Sequence, residues 1–361
     1  MPLARLAISW RGLGRAILVA ALLFALPSTR EAAAEMRLPP GFSAKVYVTG
    51  HGFDSSEGRG ASGIPSISTL AFDPAGVLYL GRSGRRYGGG EVEDVWPLFR
   101  VPLGGAQITR DGEARFLYGP PLRNPQVGVV RGAGELFLTT FDRERKVGVL
   151  YRVVDGRAGL FAGGTPDRGE PAVLKQPEGV TLDPAGNFFI ADRDRGVIVK
   201  LDATGKVVDP RYASMKRPRV VTMDGAGNLW VGADGGAEAP WQPGEGEMWL
   251  ITPDGAARLV LKGPIAQAIS WHPAGFMAVA DRHTPEVFAV TPDGARRTLI
   301  RFTDTDAPRS LIVAPTTEAT RNAGIAGDLL VVLIPGGAWP VNQVIRISGP
   351  FDSFLRDSST R

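Results

Sequence analysis

The sequence predicts an all-β protein, a six-bladed β-propeller whose ring is closed by the chain's own first strand. Two observations carry this. Six segments repeat one strand, turn, strand plan around the glycines Gly76, Gly134, Gly186, Gly227, Gly275 and Gly327, spaced 58, 52, 41, 48 and 52 residues apart, and a period of about fifty residues is that of one four-stranded blade. The second is composition: 47 Gly and 29 Pro in 361 residues, about 13% and 8% against usual values near 7% and 5%. Such punctuation breaks long helices and supplies turns.

The elements follow in chain order. Residues 1–34 read as an export leader: Arg5, Arg11 and Arg15 form a basic start, Ala16 to Leu26 is an unbroken apolar run, and Ala32, Ala33 and Ala34 offer a cleavage site before Glu35. The run is shorter than the roughly 20 residues of a membrane span, so cleavage is the first reading and an uncleaved anchor the second. No adjacent arginine pair is present in residues 1–34, which favours the general secretory route over the twin-arginine one. The expected place is the periplasm or the medium. Four arginines and one glutamate put +3 of the formal +4 charge in this leader, so the basic balance argues for neither nucleic acid nor an anionic membrane as partner.

The next element is FSAKVYV (42–48), an alternating strand. Then come the repeats. Their first two strands and turn read TLAFDPAGVLYLGRSG (69–84), VGVVRGAGELFLTTFD (127–142), GVTLDPAGNFFIADRD (179–194), VVTMDGAGNLWVGADGG (220–236), AISWHPAGFMAVADRH (268–283) and, with a longer turn, LIVAPTTEATRNAGIAGDLLVVLIPGG (311–337). Third strands follow at 97–105, 148–156, 196–205, 247–255, 286–294 and 342–350, most ending in a tetrad such as Thr-Pro-Asp-Gly, which is hairpin chemistry. Little chain remains after Pro350 for a last fourth strand, so residues 42–48 are expected to supply it and remove the open edge. The organisation expected is a leader over 1–34, a propeller over 36–355 and a tail over 356–361, in a monomer.

These residues carry a resemblance. PEGVTLDPAGNFFIADRDRGVIVKLDATG (177–205) resembles an NHL-type repeat and the blades of the senescence-marker-protein and gluconolactonase group, six-bladed propellers of the TolB-like kind. LPPGFSAKVYVTG (38–50) and STLAFDPAGVLYLG (68–81) are similar to the start of quinone-dependent glucose/sorbosone dehydrogenases. The resemblance covers nearly the whole chain and specifies blades better than chemistry.

Antiparallel order sorts the loops. The inner strand of each blade lines the channel, and the loop between strands two and three falls on the face where that inner strand begins. The Gly turns fall on the other face, where their aspartates are expected to bond their own backbone. Eight residues before each turn Gly the chain places Ser68, Gln126, Glu178, Arg219 and Gln267, and alignment of 311–315 with 180–184 adds Arg309. Such a ring can bind a small polar or anionic ligand, since guanidinium pairs with carboxylate; alternatively, its charges pair with each other in a wet channel. The loops on that face add Arg82, Arg85, Arg86, Tyr87, Asp142, Asp192, Asp194, Asp234, Asp281, His283 and Trp339. Asp192 and Asp281 recur at equivalent places, which points to bonding of loop amides. His283 is a candidate general base near neutral pH, and Glu178 a candidate catalytic or metal-binding carboxylate.

The absence of cysteine and the presence of only three histidines exclude disulfides, thiolate metal sites, iron–sulfur clusters and a cysteine nucleophile. Three chemistries stay open beside simple ligand binding. A metal-dependent lactonase, as the resemblance implies, would hold a cation such as Ca²⁺ at Glu178, but Arg219 beside it would repel the cation. A dehydrogenase using pyrroloquinoline quinone would suit Arg219 and Arg309, but no histidine occupies the ring. A non-catalytic interaction propeller would use loops 84–97 and 232–247, with Trp96 and Trp241 among Gly, Pro and charge. No phosphate loop and no G-x-S-x-G motif is present.

Overall fold

Six blades stand around one channel. The computed structural model describes residues 36–50, 67–81, 95–123, 125–142, 147–164, 172–238, 242–281, 283–302, 308–333 and 343–355. Blades 2, 3 and 4 are four-stranded antiparallel meanders, formed by Gly128–Arg131, Glu135–Asp142, Val147–Val154 and Arg157–Gly163; by Pro177–Leu182, Phe188–Asp192, Val197–Leu201 and Val207–Ser214; and by Pro218–Met223, Leu229–Ala233, Gly246–Ile251 and Ala257–Gly263. Blade 5 is built from Ala266–His272, Phe276–Asp281, Glu286–Val290 and Arg296–Phe302, and blade 6 opens with Pro308–Val313, Leu329–Leu333 and Gln343–Ser348. The six turn glycines all lie at φ between +77° and +95°, the left-handed region that a side chain disfavours.

Burial grades outward in each blade and explains the sequence pattern. Second strands such as Phe188–Asp192 and Leu329–Leu333 are buried along their whole length, because both faces of the sheet pack on a neighbouring blade, so they read as continuous apolar runs. Outer strands alternate: Val207–Ser214 is mostly solvent-exposed or half-buried. Six hydrophobic clusters result, one between each adjacent pair of blades.

The ring closes as the sequence predicts. Ser43–Gly50 pairs antiparallel with Gln343–Ser348 as the fourth strand of blade 6, and Tyr47 and Val48 enter the cluster between blades 6 and 1. Two features depart from six equal blades. Met36–Arg37 pairs with Phe302 and Arg301 and covers the outer edge of blade 5. Among the described residues, blade 1 has three strands, Thr69–Phe72, Leu78–Gly81 and Phe99–Val101, with a single bridge from Phe99 to Leu117 where a fourth would begin. Its chain instead turns at Gly104 and Gly105 so that Ala106–Ile108 runs parallel to Val48–Gly50 on the edge of blade 6. Gly105 makes this possible: it sits at φ +86°, and a Cβ there would lie 1.9 Å from the Tyr47 carbonyl oxygen.

A short helix, Phe351–Phe354, finishes the described chain. Its Phe351 and Phe354 rings meet Phe42 at 4.9 and 5.7 Å and also reach His272 and Phe276 of blade 5. The C-terminus thereby clamps the N-terminal strand against the seam between blades 5 and 6.

Candidate functional site

The strand registers bring the loops between strands two and three to the face where inner strands begin. Pro177 lies opposite Asp192, which lies opposite Val197; Ala266 lies opposite Asp281, which lies opposite Glu286. The turn aspartates fall at the other end and do bond their own backbone: Asp73 Oδ1 accepts from Ala75 and Val77, and Asp224 Oδ1 from Ala226 and Asn228. Asp192 and Asp281 serve the loops. Asp192 accepts from the amides of Lys175 and Gln176 at 2.7 and 3.0 Å, and Asp281 from those of Ile265 and His283 at 3.2 and 3.1 Å. Each aspartate thus straps the end of a second strand to the loop that leads into its inner strand.

Glu178 and Arg219 come together directly. Arg219 grips Asp234 through Nε and Nη2, both at 2.7 Å, and donates from Nη1 to Glu178. Arg193 donates to Asp234 at 3.1 Å and lies 3.6 Å from Glu178, whose Oε1 also accepts from Gln176. Asp234 is fully buried, and the other three side chains are only 11–13% exposed. Two guanidiniums face two carboxylates, so the cluster is electrically balanced. Burial pushes the Glu178 carboxyl up from the usual range, with Arg219 and Arg193 opposing it. Burial also works against the charge on Arg219, yet Glu178 and Asp234 hold its pKa above the ordinary arginine value. Of the two possibilities for the ring, this pair adopts mutual pairing. Arg193 was the residue sequence reasoning missed; its signal was the Asp-Arg step of IADRD.

The channel itself is a cavity of about 740 Å³, counting space open to solvent. Two of the six ring residues line it, Ser68 and Gln267; Gln126, Glu178, Arg219 and Arg309 do not. Gln126 sits just before the inner strand of blade 2, its carbonyl accepting from Thr69, and Arg309 lies on the inner strand of blade 6. Among the described residues, Gln267 Nε2 is buried with no hydrogen-bond partner. His283 is exposed on its loop. His272 lies at the opposite end, buried and stacked on Phe276.

The residues present do not fit the cofactors that the resemblance implies. Both Glu178 oxygens are engaged and face two guanidiniums, and among the described residues no group of three acidic or histidine side chains is placed to hold a metal. Among the described residues, the channel lining has no charged side chain for a tricarboxylate quinone. Arg82, Arg85, Arg86, Tyr87 and Trp339, like Trp241 and most of loop 84–97, lie outside the described residues, and so does residue range 1–35. Among the described residues no helix is long and apolar enough to cross a membrane.

Comparison with solved structures gives three propellers of similar extent. A streptogramin B lyase is 10% identical with a TM-score of 0.51, over 86% of this chain and 98% of its own. Virginiamycin B lyase from Staphylococcus aureus is 10% identical with a TM-score of 0.51, over 87% and 99%. A putative gluconolactonase is 14% identical with a TM-score of 0.51, over 86% and 93%. This chain shares their fold. At such identity the likeness carries architecture and no chemistry, and by sequence no protein family and no curated protein matches.

Proposed function

We propose that this propeller is an exported binding protein that takes a small polar molecule at the channel mouth, where its inner strands begin. The observation that carries the reading is Gln267: its amide nitrogen is buried without a partner on the wall of the channel. A buried donor left unsatisfied costs about 1–3 kcal/mol, and a turn of the Gln267 side chain that meets a ligand acceptor in the channel relieves that cost. The reading is of binding. Glu178 is held between two guanidiniums, and His283 stands on an exposed loop, which leaves neither arranged as an acid or base beside the channel.

Export rests on the leader pattern of residues 1–34. Cleavage after Ala34 would release a chain that starts at Glu35 and keeps the ring-closing strand whole. Two measurements test these statements. Mass analysis of the protein recovered from outside the cytoplasm should give a first residue of Glu35; an intact Met1 would argue against cleavage. A titration screen of polar small molecules should find binders that Gln267→Leu loses. The same variant should unfold at an equal or higher temperature, because it removes an unsatisfied donor; binding unchanged in Gln267→Leu would overturn the reading.

A further inference from the structure

The blade repeats place a second tier of residues inside the channel, three positions beyond the ring. In blades 1 to 6 these are Ala71, Val129, Thr181, Thr222, Ser270 and Ile312, each opposite the matching residue of its second strand. All six line the cavity. The tier is one-sided: blades 3, 4 and 5 present hydroxyls, whereas blades 6, 1 and 2 present hydrocarbon. Gln267 adds an amide on the polar side; on the other, Ser68 and Ser310 turn their hydroxyls to the Pro125 and Ser68 carbonyls, and Phe72 and Val130 add apolar surface.

The hydroxyls differ in their commitments. Ser270 Oγ accepts from the Val313 amide at 3.0 Å. Among the described residues, the hydroxyls of Thr181 and Thr222 make no hydrogen bond, and Gln267 Nε2 has no partner. Hydroxyl and amide groups can each donate and accept, so this edge suits a carbonyl, an amide or an alcohol. Charge is treated differently. The described lining holds no charged side chain, and Arg193 and Arg219, at the end where the inner strands begin, are neutralised by Glu178 and Asp234. An ion drawn into the channel would lose water and meet no counter-charge.

Resting on the ligand reading above, we propose that the channel binds a small, neutral, amphipathic molecule, its hydrogen-bonding edge on Thr181, Thr222 and Gln267 and its apolar face on Ala71, Val129 and Ile312. The polar edge fixes orientation, and the hydrocarbon wall supplies most of the burial.

Titration of the mature protein with benzamide and cyclohexanone, set against benzoate and benzylammonium, tests this. The neutral probes should bind and the ions should bind at least about tenfold more weakly, the loss of one ligand charge pair's worth of solvation being of that order or more. The double variant Thr181→Val with Thr222→Val should weaken benzamide by about tenfold while leaving the unfolding midpoint in place, since valine keeps the shape and no internal hydrogen bond is removed. Thr181→Val combined with Thr222→Ser, which keeps one of the two hydroxyls, should retain part of the binding, and Thr181→Val alone serves as the second probe if the double valine variant does not fold. Benzoate binding as tightly as benzamide would overturn neutrality and leave the ligand reading standing. Benzamide binding that ignores the valine pair would overturn the assignment of the edge. Failure of every probe, charged and neutral, would sink both readings together.

Discussion

Arg219 shows how a residue chosen for ligand binding can instead hold its own site together. Its donors go to Asp234 and Glu178, and the group is nearly sealed from solvent. Replacing Arg219 with alanine leaves two carboxylates facing each other with only Arg193 between them. Removing one partner of a buried ion pair costs about 3–5 kcal/mol, and urea unfolding of Arg219→Ala should show a loss of that size. A loss under about 1 kcal/mol would mean the cluster is as weak as a surface pair. His272 makes a second case. Its Nε2 lies 2.7 Å from the Gly327 carbonyl oxygen, and its Nδ1 accepts from the Ala274 amide, an arrangement only the neutral ring can make. Burial lowers its pKa below the ordinary histidine value, with the Gly327 hydrogen bond and the Asp352 and Asp328 carboxylates opposing. The unfolded chain therefore takes up a proton that the folded chain refuses. The contribution of His272 is whole above about pH 6.5, the unfolded value, and is lost as pH falls through the folded one. Stability measured between pH 8 and 5 should decline below pH 6.5, and His272→Gln should flatten that decline; an unchanged slope would clear His272 as its source.

At the scale of the element, Gly105 is the residue on which the join between blades 1 and 6 turns. A methyl group there collides with the Tyr47 carbonyl oxygen, and the left-handed backbone adds a cost of about 1–2 kcal/mol. Gly105→Ala should release Ala106–Ile108 from its parallel pairing with Val48–Gly50 and speed amide exchange there, with blades 2 to 4 unaffected; uniform protection would show that the pairing does not depend on the glycine. This join also marks what the sequence left unread. Blade strands were legible because each carries its own alternation and its own turn glycine. The parallel strand was not, since Ala106–Ile108 is three residues long and owes its place to Tyr47, far away in the chain. Met36–Arg37 was unread for the same reason. The site divides similarly. The polar ring could be counted off from the turn glycines, and the tier with Thr181 and Thr222 lay in the same alignment, three positions along. What no alignment offered was which charges would pair: Arg193 reaches Asp234 across two blades.

For the whole molecule, the closing strand decides whether six blades behave as one. Each inter-blade cluster needs a neighbour on both sides, so a propeller lacking its last strand exposes both an apolar face and an unpaired edge. Ser43–Gly50 covers the third strand of blade 6, and it buries Tyr47 and Val48 while Phe42 docks on Phe351 and Phe354. Full burial of such side chains is worth about 1.5–3 kcal/mol each, so a chain that begins at residue 51 should lose about 3–6 kcal/mol from Tyr47 and Val48 alone. The freed edge of Gln343–Ser348 should then recruit a second molecule, giving concentration-dependent association in sedimentation experiments. Adding a synthetic peptide of residues 36–50 should restore the unfolding temperature and reverse the added association together, because the strand enters as a separate piece without threading through the ring. A truncated chain that stays monomeric at the parent's unfolding temperature would show that the six blades hold their ring by inter-blade packing alone.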